Sequence, residues 1–211
     1  MMVLIAGIPL IFAITMHEAA HGFVAKLRGD NTAYNLGRVT LNPVSHIDPI
    51  GTILVPAIML LSTLTVGFPF IFGWAKPVPI NYNNLKKPRR DMTLVALAGP
   101  MANFLMAIIW MIVYKHVDLH PYIQAMALYG IMINVVLMIL NLLPIPPLDG
   151  SRIVCSFLTP SLAYKYNSYE RYGFMILIVL IVIPIRGSSI LFYIIGPFIS
   201  IIIQIIQTIT F

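Results

Sequence analysis

The chain has 211 residues, of which 59% are hydrophobic and only 9% are charged, and its formal net charge is +6. Soluble domains carry about 25% charged residues, so this composition excludes an ordinary soluble protein and predicts a polytopic membrane protein. The basic excess does not predict nucleic-acid binding, because the Lys and Arg residues lie between apolar runs and form no single patch.

Apolar segments of bilayer-spanning length predict an all-α membrane protein with about five to six transmembrane helices. The first runs from about 3 to 27 and is interpreted as a retained span, because it has no charged leading segment. Within 30–49, the sequence GRVTLNP alternates polar and apolar residues and weakly predicts one or two short strands. The other predicted spans cover about 50–73, 92–114, 122–143, 173–185 and 188–209.

The segment 50–73 is interrupted by Pro56, Gly67 and Pro69, and it could either cross the membrane or dip in and return. If it crosses, the 13 Lys and Arg residues divide eight to five between the two sides, and if it returns they divide eleven to two. The positive-inside rule favours the second arrangement and therefore predicts a re-entrant segment. The C-terminal end of the first span then lies in the cytosol.

The first span contains the sequence ITMHEAAHGF, residues 14–23. His17 and His21 are four residues apart and share one helix face, so both imidazoles can bind one metal ion. Glu18 lies about 100° around the helix, where it can take a proton from an attacking water. Such side chains are costly inside a bilayer, so the motif predicts a metal-dependent hydrolase. His17 precedes Lys26 by about 13 Å of helix, which places the metal below the cytosolic headgroups.

A catalytic zinc site usually has a third protein ligand. The single cysteine, Cys155, excludes a cysteine-ligated cluster and lies in a polar segment, so a carboxylate is the stronger candidate. Asp149 follows NLLPIPP, whose prolines unwind the preceding span and leave extended backbone that needs a cavity. We therefore expect Asp149 to be the third ligand.

Other histidines and aspartates are weaker candidates. His46 and Asp48 could be ligands, although Asp48 precedes a proline and is more typical of a turn. His116 and His120 are also four apart, but they flank Asp118 at the end of a span and precede a proline. We expect this second pair to lie in an interfacial loop.

Three motifs together carry a resemblance to a known family: HEAAHG in the first span, ALAGPMAN at 96–103 and NLLPIPPLDG at 141–150. Their order and residues resemble the site-2 protease family, the intramembrane zinc metalloproteases, in its compact bacterial branch. The resemblance implies that His17, His21 and Asp149 bind one zinc ion per chain. It also implies that Glu18 is the catalytic base.

Two asparagines are further candidates. Asn141 matches an asparagine that the family uses near the substrate or the transition state. Asn103, in the second motif, is expected either to bond across helices or to line the site at the substrate. The small residues around it, Ala96, Ala98, Gly99 and Ala102, are expected to allow close helix packing.

The resemblance implies a single integral-membrane metalloprotease domain over 1–211, with no PDZ or cystathionine-synthase-type domain. Its catalytic core would cover about 3–155, and C-terminal helices would follow at about 156–211. The family's three-span core corresponds to the segments at about 3–27, 92–114 and 122–143, and the resemblance implies that 33–44 forms its small membrane-associated β-element.

The expected activity is cleavage of peptide bonds in or near transmembrane segments of other membrane proteins, in the bacterial plasma membrane. The substrate helix must unwind first, and an exposed β-edge at 35–41 or 74–82 could hold it. A metal transporter or sensor is one alternative, but it has no need of Glu18 beside His17. An inactive relative that only binds helices is another, and the retained glutamate argues against it. The natural substrate and oligomeric state are not predicted.

Overall fold

The computed structural model describes residues 2–58, 73–116, 120–185 and 187–210. The long helices are α1 (Met2–Leu27), α3 (Pro88–His116), α4 (Pro121–Asn141) and α8 (Ile190–Ile209). The shorter helices are α2 (Thr32–Asn35), α5 (Asp149–Phe157), α6 (Pro160–Asn167) and α7 (Glu170–Val182). Single helical turns occur at Pro43–His46, Pro49–Leu54 and Tyr82–Asn84.

Four helices in the described part of the chain are long and apolar enough to cross a membrane: Leu4–Leu27, Pro88–His116, Pro121–Asn141 and Ile190–Ile209. The predicted class, an all-α polytopic membrane protein, is confirmed. The predicted span at 173–185 corresponds to α7, which has only 13 residues. At 1.5 Å per residue this helix covers about 20 Å, less than the roughly 30 Å of a hydrocarbon core.

The central bundle consists of α1, α3 and α4, which pack against one another more extensively than any other described elements. An apolar core joins α3 and α4 to α8 through residues such as Met111, Val135 and Ile195. A polar contact crosses the same bundle, because the Asn103 amide donates to Oδ1 of Asn134 over 3.0 Å. Neither asparagine is exposed, so each amide needs a partner inside the protein.

The β-element predicted within 33–44 is not present, and that prediction is wrong in position. Ala33 lies in α2, and residues 36–42 form no strand. Gly37, with a φ of 65°, turns the chain after this helix instead of extending it. The described residues do contain a small antiparallel sheet, formed by β1 (Pro184–Ile185) and β2 (Ser188–Ser189).

Most of the predicted re-entrant segment, residues 59–72, lies outside the described part of the chain. The described residues on the two sides of this gap lie close together, because the backbone N–H of Trp74 donates to the carbonyl of Gly51 over 3.0 Å. The N–H of Lys86 likewise donates to the carbonyl of Arg28 over 3.0 Å, which joins the start of α3 to the end of α1. A net crossing would separate these ends by about 30 Å. The chain between α1 and α3 therefore returns to the side it left.

Candidate active site

Three potential metal ligands from α1 and α5 meet in the interior. Nε2 of His17 lies 3.0 Å from Nε2 of His21, and Oδ2 of Asp149 lies 3.2 and 3.1 Å from these atoms. All three residues are buried. A tetrahedral zinc ion with ligand bonds of 2.0–2.1 Å separates its ligand atoms by about 3.3 Å. The triangle therefore has the size that one tetrahedral ion requires.

The other ring nitrogens indicate where the imidazole protons lie. Nδ1 of His21 lies 2.7 Å from the carbonyl oxygen of Val95, and Nδ1 of His17 lies 2.6 Å from Oδ1 of Asn103. Both partners are acceptors, so in neutral rings each Nδ1 donates and each Nε2 presents a lone pair. Oδ2 of Asp149 is buried and has no hydrogen-bond partner among the described residues. Two lone pairs and a carboxylate oxygen face one another, a donor set that fits a divalent cation.

Asn103 of α3 holds the His17 ring in this orientation. Its Oδ1 accepts the proton of His17, while its amide donates to the carbonyl of Ala13 over 3.2 Å and to Asn134. Because Asn103 has no exposed surface, it cannot reach a substrate, and this part of the sequence prediction is corrected. Of the two predicted roles, the bond across helices is the one the structure contains.

Gly99 lets α3 approach the two imidazoles. A Cβ at this position would lie 2.6 Å from Cε1 and Nε2 of His17 and would also collide with Nε2 of His21. The small residues of ALAGPMAN were expected to allow close helix packing, and Gly99 is the position where α3 comes closest to the two histidines. Only a residue without a side chain leaves room for the rings.

Asp149 reaches the site because α4 ends before it. This helix stops at Asn141, irregular backbone follows, and α5 begins at Asp149, as the prolines of NLLPIPP predict. The carbonyl oxygens of Leu142 and Leu143 occupy the position of a Cβ on Gly150, so the loop packs directly on the start of α5. This contact fixes the first turn of α5, which carries the carboxylate.

Glu18 lies beside the ligand triangle. It borders the same small cavity, of about 110 Å³, as His17, His21 and Asp149. Its Oε2 accepts a hydrogen bond of 2.7 Å from the backbone N–H of Val78. The carboxylate is thus held at the cavity by a segment that is distant in sequence.

The segment that carries Val78 is fixed by further backbone hydrogen bonds. The N–H of Trp74 donates to Gly51, and the N–H of Lys76 donates to the carbonyl of His46 over 3.0 Å. Together with Val78, these alternate N–H groups all bond within the protein. The segment therefore forms a rigid wall beside the site.

Three cavities that share lining residues lie at the site, and together we call them the cleft. Besides the central cavity described above, the cleft includes an apolar cavity of about 680 Å³ lined by residues such as Ile14, Leu137 and Phe174. It also includes an outer cavity of about 590 Å³ with a more polar lining. Asn141 borders the central and apolar cavities, and its amide donates to the carbonyl of Leu137 over 3.0 Å. Its side-chain oxygen accepts no hydrogen bond from a described residue.

The weaker ligand candidates do not join this group. His46 is buried with Nε2 on a backbone carbonyl, and Asp48 accepts two backbone N–H groups in a turn. His116 bonds a carbonyl near the end of α8, and His120 lies at the start of α4. Asp118 lies outside the described residues. Among the residues described, the metal-binding geometry occurs at His17, His21 and Asp149.

Two features of the site were not predicted from the sequence. The contact between Val78 and Glu18 joins residues far apart in the chain, and no local pattern signals it. The contact of Gly99 with both histidines could have been predicted, because a glycine in a small-residue helix motif indicates that a neighbouring helix lies close.

Comparisons with known proteins agree with this arrangement. The model of peptidase family M50 matches residues 115–184. YwhC of Bacillus subtilis (strain 168), named as a candidate zinc metalloprotease, is 42% identical over 195 residues, covering 87% of this chain and 82% of that protein. Rip2 of Mycolicibacterium smegmatis, named in the same way, is 28% identical over 176 residues, covering 82% of this chain and 65% of that protein.

Rip2 of Mycobacterium tuberculosis (strain H37Rv) is 26% identical over 178 residues, covering 82% of this chain and 64% of that protein. This chain therefore spans just under two thirds of the length of the Rip2 proteins. No solved structure matches the chain. The match to YwhC extends over most of both proteins. The chain belongs to peptidase family M50, the site-2 protease family of metalloproteases.

Proposed function

We propose that the protein is an intramembrane zinc endopeptidase that cleaves peptide bonds in or near transmembrane segments of other membrane proteins. The observation that supports this most is the ligand triangle with Glu18 beside it, inside a bundle of apolar helices. The names of YwhC and Rip2 also describe zinc metalloproteases. One zinc ion per chain would be held by His17, His21 and Asp149.

When bound, zinc would polarise the scissile carbonyl and lower the pKa of a water molecule towards neutrality. Glu18 accepts the proton of that water and later returns it to the leaving amine. The N–H of Val78 holds Oε2 of the Glu18 carboxylate during both transfers and leaves the other oxygen free to take up the proton. Asn141, which borders the central cavity and uses its amide on Leu137, binds the substrate backbone through its side-chain oxygen.

The cleft suits a substrate that arrives from the bilayer. Its apolar cavity can receive the side chains of a transmembrane segment, while the central cavity is too small for an intact helix about 10 Å across. The segment must therefore unwind before its backbone reaches Glu18. The β-edge expected at 35–41 is not formed, and in the alternative edge expected at 74–82 the N–H groups of Trp74, Lys76 and Val78 bond within the protein.

The fold and the charges support one orientation. Because the chain between α1 and α3 returns to one side, eleven of the 12 Lys and Arg residues in the described part of the chain share that side, and Lys115 lies at the opposite end of α3. By the positive-inside rule this side is cytosolic, so the site opens towards the cytosol from the plasma membrane. Cysteines introduced as Lys76→Cys and Lys115→Cys check this assignment in sealed vesicles, where an impermeant reagent should label them from opposite sides. Labelling of both from the same side would contradict it.

The proposed activity is tested with purified protein in nanodiscs and a library of single-span reporter proteins, each with a tag on either end. Metal-loaded wild type should cleave at least one reporter, and Glu18→Gln should lower that rate by about 10²–10⁴-fold. Glutamine is the appropriate replacement, because its side-chain oxygen can still accept the Val78 N–H. Lys165→Gln, on α6, likewise replaces a charged side chain by an amide, and it is the control because Lys165 is exposed and borders none of the three cavities. It should retain more than half of the activity.

Each outcome separates the proposal from its alternatives. A metal transporter carries ions in both wild type and Glu18→Gln and cleaves no reporter. An inactive helix-binding protein binds reporters equally in both forms and cleaves none. Cleavage that persists in Glu18→Gln at equal zinc content also contradicts the proposal.

A further inference from the structure

Arg152 occupies the junction of the cleft. It lies in the first turns of α5, three residues after Asp149, and therefore near the same helix face. Its side chain borders the central, the apolar and the outer cavity alike, and it is partly buried. A peptide that occupies these cavities therefore lies within reach of this guanidinium.

The guanidinium has no partner within the described part of the protein. Among the described residues, Arg152 makes no hydrogen bond and no ion pair, although Glu170 borders the same apolar and outer cavities. None of its nitrogen atoms is sealed inside the protein, so its five N–H donors are accessible from the cavities and free to bind a substrate. A substrate in the cleft can supply the missing acceptor.

We propose that Arg152 is a substrate-binding residue that donates hydrogen bonds to main-chain carbonyls of the unwound substrate, next to the bond that is cut. This inference rests on the proposed function. An unwound segment exposes carbonyl oxygens that have lost their helical N–H partners, and each needs a donor in the apolar cleft. The planar fork of a guanidinium can donate to two such oxygens at once.

The charges of the cleft favour a carbonyl over an acidic side chain. The central cavity already contains the carboxylate of Glu18, which repels a second one, whereas the charge of Asp149 would be balanced by the bound ion. Its volume of about 110 Å³ also leaves little space for a long acidic side chain beside the peptide. A neutral carbonyl meets neither obstacle.

The inference is tested with a reporter peptide that wild type cleaves in a Glu18-dependent manner. Arg152→Met keeps most of the length of the side chain and removes the donors, and it should lower kcat/KM by about 10- to 100-fold. Arg152→Lys, which keeps the charge without the fork, should recover only part of this loss. Arg171→Met is the matched control, because Arg171 stacks on Tyr172 and borders none of the cleft cavities.

Binding is measured separately from cleavage, in the Glu18→Gln background. There Arg152→Met should raise the Kd of the same peptide by about tenfold or more at unchanged zinc content. Single backbone amides of the peptide near the cut are then replaced by esters, whose carbonyls accept hydrogen bonds more weakly. At one or two of these peptide positions, the ester should weaken binding to the protein that retains Arg152. The same esters should have no additional effect in the Arg152→Met variant.

Three results would overturn the assignment. The first is that Arg152→Met leaves Kd and kcat/KM unchanged while Glu18 remains essential. The second is an Arg152 effect that disappears only when an acidic side chain of the reporter is neutralised, because Arg152 then binds that side chain. The third is that the esters weaken binding equally with and without the Arg152→Met substitution. If wild type cleaves nothing at all, the proposed function itself fails, so the two failures are distinguishable.

Discussion

The backbone N–H of Val78 donates a hydrogen bond to Oε2 of Glu18 over 2.7 Å, although 60 residues separate the two in the chain. The bond joins the wall of the cleft to the residue that we propose as the base. A carboxylate with one oxygen held by a backbone donor has a defined orientation, and its second oxygen remains free for a water proton.

Replacing Val78 with proline should therefore reduce cleavage by about tenfold without loss of metal, because proline has no N–H to donate. The backbone should accept the change, since a residue before Pro79 is already restricted to extended conformations. Val78→Thr keeps both the N–H and the shape of the side chain, and it should cleave like wild type. Equal rates for the proline and threonine forms would show that the hydrogen bond has no role.

Asn103→Ala should weaken zinc binding by about 10- to 100-fold, because His17 loses the acceptor that fixes its tautomer and ring orientation. Asn103→Asp keeps an acceptor for His17 and should lose less affinity than the alanine form. Competition with a fluorescent zinc chelator measures both. An unchanged zinc affinity in Asn103→Ala would contradict the role assigned to this residue.

Gly99→Ala should abolish metal binding, since the added methyl group would occupy the space of the His17 and His21 rings. The matched control is Gly7→Ala on α1, where a Cβ would meet nothing within 4 Å. Zinc content and the thermal unfolding temperature of the metal-free forms separate loss of the site from loss of the fold. A metal-loaded Gly99→Ala protein would mean that α3 does not lie against the imidazoles.

Asp30 should give the fold a pH dependence that is independent of the metal site. Burial alone would raise the pKa of this carboxyl, but hydrogen bonds from Thr32, Asn81 and Asn84 outweigh it and lower the pKa below its ordinary value of 3.8. The stabilisation is therefore fully present above pH about 4 and is lost as the pH falls through the lowered pKa.

Asp30→Asn should reduce the free energy of unfolding of the metal-free protein by about 1–3 kcal/mol at pH 7. The difference from wild type should shrink as the pH falls below about 4, where Asp30 is protonated first in the unfolded chain and, at lower pH, in the folded protein. Thermal unfolding in detergent, from strongly acidic to neutral pH, measures it. A difference that stays constant over this range would contradict the assignment.

The sequence was sufficient for the class of the protein and for the ligand group, for separate physical reasons. Composition and long apolar runs reflect the bilayer directly, so the polytopic class could be read from them. The pair His17 and His21 follows from helical periodicity alone, which is a local property. The position of Asp149 follows from prolines that stop α4, another local effect.

The remaining features depend on contacts between distant segments. The strands expected within 33–44 gave way to a helix and a turn at Gly37, because alternation over a few residues is a weak signal. The direction of Asn103 towards His17, and not towards the cleft, depends on how α3 rotates against α1. The bond between Val78 and Glu18 depends on the path of the whole segment between α1 and α3.

The central claim is that His17, His21 and Asp149 hold one metal ion inside the membrane-spanning bundle. Elemental analysis of purified protein, saturated with zinc and then desalted, tests it most directly. We expect one zinc per chain in wild type and in His116→Ala, and less than about one tenth of that in Asp149→Ala. Active wild-type protein without bound metal, or an Asp149→Ala form that retains a full equivalent, would contradict the account.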